Sequence, residues 1–277
     1  MPEGHALHRL ARRHQRLLGG RRVRVSSPQG RFAREAALLD GLVFRRAEAW
    51  GKHLIHRYDD APRGGTRAAA ATARLVHIHL GIYGAFREEP LPMPEPTGQV
   101  RLRLIGEDVG IDLRGPNACE IYTPEDFDAL LARLGPDPLR DDADPEDAWD
   151  AIRRSRRPIG SLLMDQRVIA GIGNIYRAEI LFRAGVNPHR AGTAVARGEF
   201  DQMWADLLVL MPIGVRRGHI HVVRPEDDHG APAYAPDRPR TYVYRRAGEP
   251  CRLCATPVVG EVMEGRNLFW CPSCQPD

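Results

Sequence analysis

Met164-Asp165-Gln166, then Gly171-Ile172-Gly173-Asn174, then Ile175-Tyr176-Arg177-Ala178-Glu179-Ile180-Leu181-Phe182, closed by Gly185-Val186-Asn187-Pro188, is the stretch whose reading decides the fold. Ile175, Ala178, Leu181 and Phe182 recur at helical spacing, Gly185 stands where a C-cap accepts a left-handed residue, and Pro188 forbids continuation. The spacing predicts a helix over 175–184. Residues 161–165 read as the end of a preceding helix. Between them Gly171 and Gly173 permit backbone conformations in which successive amides point outward, and Asn174 adds a side-chain amide at the positive end of the next helix dipole. That corner suits a phosphate oxygen. A tight helix-helix corner can also use its glycines for packing alone.

Outward from this stretch, 277 residues suffice for two domains, each with its own core. No apolar run approaches the roughly 18 residues of a membrane span. The start, with Glu3, His5 and His8, lacks a signal-peptide core. A soluble, cytoplasmic, monomeric protein without a membrane partner is the expectation. The net charge of +4 is mild, yet basic clusters occupy 9–24, 153–157, 216–217 and 238–246. They fit either a solvated surface or a polyanionic partner. Lys52 is the single lysine among 40 basic residues. Where arginine has taken nearly every ordinary charge position, the surviving ammonium marks a site that needs a compact, titratable point charge.

The chain begins Met1-Pro2-Glu3-Gly4-His5. Removal of Met1 would expose a secondary amine followed at once by a carboxylate. An α-amino group titrates near 8, so much of it is a neutral nucleophile at working pH. Attack on a sugar C1′ would give an iminium, an electron sink for phosphate elimination, and Glu3 is placed for proton transfer. Ala6, Leu7 and Leu10 open an amphipathic helix that Gly19-Gly20 closes. From 23 to 113 short apolar alternations predict strands, with Lys52 at the start of one. His77 and His79 alternate with apolar residues and read as strand residues; Cys119 reads as a small packed one. Residues 63–73 read as a flexible hairpin loop. Helices are expected over 124–134, 145–154 and 197–211, and the Pro- and Asp-rich segment from Gly135 separates the halves. Residues 218–240 lack any period and read as a long functional loop.

At the C-terminus Cys251-Arg252-Leu253-Cys254 and Cys271-Pro272-Ser273-Cys274 are two CxxC knuckles 16 residues apart, the spacing of a four-thiolate zinc site. Cys251, Cys254, Cys271 and Cys274 would close the coordination shell of one structural Zn2+, leaving no position for water. Val258, Val259, Val262, Leu268 and Phe269 suit a β-hairpin between the knuckles. Arg266 sits near its tip as a probe for a phosphate or groove.

Taken together, Pro2-Glu3-Gly4, Gly51-Lys52, His79-Leu80-Gly81, Leu134-Gly135-Pro136-Asp137-Pro138-Leu139, the central stretch and the Cys-rich end with Gly265-Arg266 occur in this order. The chain resembles the formamidopyrimidine-DNA glycosylase and endonuclease VIII family, nearly end to end. The resemblance implies an α+β fold: an N-terminal β-sandwich with flanking helices (1–134), a linker (135–148), a helix-two-turn-helix domain with a lesion-capping loop (149–240) and a zinc-finger β-hairpin (241–277). It implies damaged double-stranded DNA as partner and a bifunctional glycosylase and abasic-site lyase acting by β,δ-elimination. Pro2 then resembles the Schiff-base nucleophile, Glu3 the acid-base residue and Lys52 the lysine at phosphate beside the lesion. Asn174 and Arg266 resemble two phosphate grips. Ile82 and Tyr83, after Gly81, align with the wedge that fills the hole left by a flipped nucleotide.

The sequence also departs from the family pattern. Ala6 stands where a second acidic residue is usual and His5 where Pro is common. Gly115-Pro116-Asn117-Ala118 replaces the Arg and Phe that confront the orphan base in the formamidopyrimidine branch. These features tilt toward the endonuclease VIII-like branch and oxidised pyrimidines. The alternatives are an oxidised-purine glycosylase and a non-catalytic zinc-bearing DNA-binding protein.

Overall fold

Strand-forming alternation builds the first half of the chain and helical periodicity the second. The computed structural model describes residues 2–60, 73–230 and 240–277. The expected loop over 63–73 lies almost wholly outside the described residues, as does position 1. Two compact units result: residues 1–3 with 7–133, and residues 4–6 with 134–277.

In the first unit, helix α1 (Gly4–Leu18) leads into strands β1 (Arg21–Arg22) and β2 (Arg24–Ser26), helix α2 (Ala33–Leu39), and strands β3 (Val43–Trp50) and β4 (His53–Asp59). Then come β5 (Arg74–His79), β6 (Ala85–Pro90), β7 (Val100–Ile105), β8 (Val109–Arg114) and β9 (Ala118–Tyr122), and helix α3 (Pro124–Ala132). The strands form two antiparallel sheets, ordered β1-β3-β4-β5-β9 and β2-β7-β8-β6. Phe44, Leu54, Val76 and Ile78 of one sheet and Leu102, Leu104, Ile111 and Leu113 of the other are fully buried. Each contributes about 1.5–3 kcal/mol on leaving water. His56 of β4, Phe86 of β6 and His14 of α1 make edge-on and tilted ring contacts that join both sheets to α1. Helix α2 was not expected from the sequence: only Ala36 and Leu39 of its seven residues are buried, too few for a periodic signal. The lone lysine is not in a strand. Gly51 (φ 56°) and Lys52 form the two-residue turn between β3 and β4, because a tight hairpin needs a left-handed residue there.

The second unit holds helices α4 (Pro145–Arg153), α5 (Ile159–Leu162), α6 (Asn174–Arg183) and α7 (Arg197–Arg217), and the hairpin β10 (Val259–Met263) with β11 (Arg266–Trp270). The helix expected over 161–165 is the single turn α5, set slightly earlier. Helix α7 runs six residues past the expected end at Met211, through Pro212. The carbonyl that a proline leaves without an amide belongs to Leu208, on the exposed face. Ile172, Tyr176, Ile180, Leu181, Phe200, Trp204, Leu207 and Met211 form the core between α6 and α7. Of the loop over 218–240, residues 231–239 lie outside the described residues. The described part is tied down: the Tyr242 hydroxyl accepts the Arg224 amide N–H at 2.8 Å and donates to Asp227. No helix among the described residues is long and apolar enough to cross a membrane.

Candidate functional site

The corner before α6 is held by Gln166. Its Nε2 donates to the carbonyls of Met164 (3.0 Å) and Ile172 (2.9 Å), and its Oε1 accepts the Gly171 amide at 3.0 Å. The Gly171 N–H is therefore spent inside the corner and does not point outward as the sequence suggested. Gly171 itself lies at φ 93°, a left-handed conformation that favours glycine. Its carbonyl accepts the backbone N–H of Gly4 at 2.8 Å. A Cβ on Gly4 would stand 2.8 Å from Gly171 Cα, so the two backbones touch. His5 packs edge-on to Tyr176 at 5.6 Å between centroids, and Gly214 of α7 abuts both rings. The first turn of α1 is thus seated on the central corner. Glu3, extended at the N-cap of α1 and fully buried, and the half-buried Pro2 precede it directly.

Gly173 caps α6 and Asn174 begins it. Asn174 is buried, and its Nδ2 donates to the Asn267 carbonyl at 2.7 Å. Arg177, one turn on and 1% exposed, donates to the same carbonyl at 2.9 Å and to Asn174 Oδ1. Asn267 adjoins Arg266. Asn174 thus reaches the strand that carries Arg266 directly, at the neighbouring residue, and Arg177, which has no sequence signal, joins it on the same carbonyl. At the hairpin tip Glu264 (φ 47°) and Gly265 (φ 73°) make the turn with both central residues left-handed, and Arg266 is exposed beside it. Arg157 reaches from before α5 to Glu264 at 3.4 Å and to Asp165 at 3.0 Å. Hydrogen bonds from Arg167, then Arg157, hold the Asp165 carboxyl well below the usual range.

A further residue without a sequence signal is Glu179. Fully buried on α6, it accepts the amides of Tyr242 (2.7 Å), Val243 (3.0 Å) and Tyr244 (2.8 Å). Burial raises its pKa and the three amides pull it back. It anchors the segment that leads from the long loop into the Cys-rich end.

There the four cysteine sulfurs lie within 4.8 Å of one another. Sγ separations are 3.8 Å for Cys251–Cys274 and 3.5 Å for both Cys254–Cys271 and Cys254–Cys274. A tetrahedron of sulfurs about 2.3 Å from zinc has edges of about 3.8 Å, so the thiolate set fits one closed, structural Zn2+. Phe182, Val243, Val258 and Phe269 pack beneath the knuckles.

In the first unit the turn after β5 closes through Gly84 N–H to Leu80 carbonyl at 2.9 Å. It displays Ile82, 50% exposed, and Tyr83, 87% exposed. Large apolar side chains held out on a rigid turn mark an interaction surface. Gly81 (φ 66°) packs on Asn117, whose amide donates to the His79 carbonyl at 2.8 Å.

Two-sheet unit, corner and zinc hairpin, in this order along the chain, mark a class of DNA-repair glycosylase. Sequence models for the formamidopyrimidine-DNA glycosylase N-terminal domain, its H2TH domain, and the zinc finger found in FPG and IleRS match residues 1–115, 134–224 and 248–276. The chain belongs to the formamidopyrimidine-DNA glycosylase and endonuclease VIII family. It is 57% identical to Endonuclease 8 1 of Mycobacterium tuberculosis over 279 residues, 99% of this chain and 100% of that protein. The crystal structure of the Fpg protein from Thermus thermophilus superposes with a TM-score of 0.76 at 29% identity, covering 100% of this chain and 99% of that one. Lactococcus lactis Fpg, solved with DNA containing an abasic site, shares the fold at 18% identity and a TM-score of 0.78, covering 99% and 100%.

Proposed function

We propose that this chain is a bifunctional DNA glycosylase and abasic-site lyase that removes oxidised bases, pyrimidines foremost, and nicks the strand by β,δ-elimination. The Gly4 anchor carries the reading most: the amide of Gly4 donates to Gly171 at 2.8 Å, so an N-terminal amine two residues upstream is held by the fold rather than frayed. Once Met1 is removed, the Pro2 amine attacks C1′ of the damaged nucleotide and the iminium that forms is the electron sink for elimination. Glu3, fully buried, transfers the protons. Lys52, on its hairpin turn, contacts phosphate beside the lesion.

Arg266 grips a backbone phosphate from the zinc hairpin, and Asn174 with Arg177 fixes the strand that presents it. Gly171 seats the N-terminus and Gly173 starts α6, so both serve DNA binding through placement. Ile82 and Tyr83 enter the stack when the base flips out, offsetting the few kcal/mol of lost stacking. The pyrimidine preference is supported by the connection between β8 and β9, where residues 115–117 are Gly-Pro-Asn in place of the Arg and Phe that confront the orphan base in the formamidopyrimidine branch. The endonuclease VIII-like branch is supported also by the name of the 57% identical relative, Endonuclease 8 1. Damaged double-stranded DNA is the partner, and the enzyme acts as a cytoplasmic monomer.

Borohydride trapping on duplexes carrying thymine glycol, 8-oxoguanine or an abasic site tests this, with Pro2→Gly and Glu3→Gln as controls. Trapping that depends on Pro2 and favours thymine glycol is expected. A preference for 8-oxoguanine would move the chain to oxidised purines. Tight, salt-sensitive binding without trapping on any duplex would leave a non-catalytic DNA-binding protein.

A further inference from the structure

The turn that carries Arg266 is tied to the helical part of its own unit by more than the Asn267 carbonyl. On β10, Met263 is buried, and its sulfur would lie 3.0 Å from a Cβ on Gly160 in α5. Met263 pairs with Arg266 across the hairpin, so the two side chains leave the same face. Further down the strand, Glu261 accepts the Trp270 indole N–H at 2.8 Å and lies 2.6 Å from His189 Nε2. Nearest the tip stands Glu264. Arg157 Nη2 lies 3.4 Å from both of its carboxylate oxygens, and Arg157 Nη1 donates to Asp165 Oδ2 at 3.0 Å. Asp165 also accepts from the side chain and the amide of Arg167.

Arg157 reaches from a fixed backbone. Its amide donates to Ser155 Oγ at 3.2 Å, its carbonyl accepts the Gly192 amide at 3.0 Å, and Pro158 after it bridges Ala191. Asp165 occupies Nη1 and leaves Nη2 to Glu264, which sets the orientation of the planar fork. The residue at the tip points the same way. The first position of a turn with two left-handed residues favours Asn, Asp or Gly, yet Glu264 occupies it at φ 47°. A glutamate is conformationally unfavourable there, and its contact with Arg157 offsets that cost. Glu264 also stands two residues before Arg266. Left unpaired, its carboxylate would repel a phosphate drawn to that arginine, and Arg157 neutralises it.

We propose that Arg157 and Glu264 form a latch that sets the hairpin turn, and with it Arg266, in the position from which a backbone phosphate is gripped. The latch rests on the phosphate-grip reading of Arg266 above. Arg157 acts through Glu264 and touches no phosphate itself, so both are positioning residues. The two side chains are 42% and 55% exposed, which makes the contribution modest and sensitive to salt. Its effect is preorganisation: with the latch closed, the turn need not be ordered when the duplex arrives.

Two substitutions of opposite charge sign, made in the zinc-loaded full chain, separate a latch from a charged surface. Arg157→Gln removes a cation and Glu264→Gln an anion, so a surface acting through its net field loses duplex affinity with the first and gains it with the second. A latch loses affinity with both. Each is expected to weaken binding of an abasic-site duplex about three- to fivefold, the ceiling for an exposed pair, and the double variant to do no worse than either. Arg157→Lys is expected to restore part of the loss. The slope of affinity against salt is expected to stay native in both variants, whereas Arg266→Ala lowers it by about 0.9, one phosphate contact. Thermal unfolding of each variant controls for loss of fold. Nitrogen-15 relaxation of the Gly265 amide in the free protein, expected to report greater motion in both variants, reads the latch without DNA. Tighter binding by Glu264→Gln, additive losses in the double variant, or a Gly265 amide that relaxes as in the native chain overturns the latch. A slope lowered by Arg157→Gln makes that residue a phosphate contact and overturns it too. Affinity and slope indifferent to Arg266→Ala sink the grip reading instead, and the Gly265 relaxation then decides the latch alone.

Discussion

Replacing Gly4 by Ala tests whether the seating of the N-terminus on the central corner controls the chemistry. A Cβ at Gly4 would lie 2.8 Å from Gly171 Cα, 3.1 Å from Met211 Cε and 3.2 Å from the Gly171 carbonyl oxygen. Carbon atoms in contact prefer about 3.5–4.0 Å, so α1 must withdraw by roughly 1 Å. The methionine can yield, but the Gly171 backbone is held, because Gln166 bonds its amide and the carbonyl of the next residue, Ile172. Overpacking of this kind costs about 1–3 kcal/mol and the stretched Gly4 bond about 1 more, against about 1 regained from the better helix propensity of Ala. The expected net loss is about 1–3 kcal/mol. The larger effect is on rate, since a displacement of about 1 Å in a reacting group costs about 100-fold. Single-turnover borohydride trapping on an abasic duplex, with urea unfolding in parallel, measures both. Gly198→Ala on α7, where a Cβ meets nothing within 4 Å, is the matched control. Trapping by Gly4→Ala at the native rate would refute the idea that this anchor places the amine.

Stability should fall as pH drops from about 6.5 toward 4. His14, fully buried, has its pKa pushed down to about 4, by burial foremost, and His56 is lowered well below its ordinary value for the same reason. Unfolded histidines titrate near 6.5, so in this window the unfolded chain binds protons that the fold excludes, and His14 alone removes about 3 kcal/mol by pH 4. Urea midpoints that stay level between pH 7 and pH 5 would contradict this. Chelation of zinc should unfold the knuckles and withdraw the Asn267 carbonyl from Asn174 and Arg177; one zinc per chain by elemental analysis, and loss of duplex binding with chelator, check it. Glu179→Ala strands the three amides of 242–244 in a dry site and should cost about 3–5 kcal/mol, read from thermal unfolding, while Glu179→Gln retains part of the anchor.

What the sequence made legible follows from how each group signals itself. Four thiolates need fixed spacing, so the zinc site was written in two CxxC knuckles. A secondary amine beside a carboxylate is marked by sequence alone, which is why Pro2 and Glu3 stand out as the proposed pair. Arg177 and Glu179 had no such mark. In a chain where arginine holds nearly every positive position, a charged residue on a helix reads as solvent-facing, and only the packing of β11 and of 242–244 against α6 shows these two buried. Gln166 was quoted as part of a motif, yet that its two polar ends would bind opposite sides of one turn is a matter of three-dimensional closure. The corner was therefore found by its glycines, and its amide was assigned outward when it faces inward. The Arg157–Glu264 pair was invisible for a similar reason: the fold, not the local sequence, makes neighbours of residues 107 apart.

The second unit borrows three residues, 4–6, from the opposite end of the chain. A polypeptide started at Leu134 would lack the backbone that lies on Gly171 and the ring that lies on Tyr176, and would expose to water what they cover. A cut at residue 134 therefore does not yield the second unit whole. The seat of residues 4–6 is built from Gly171, Tyr176 and Gly214, so it exists only after the helices of the second unit have formed.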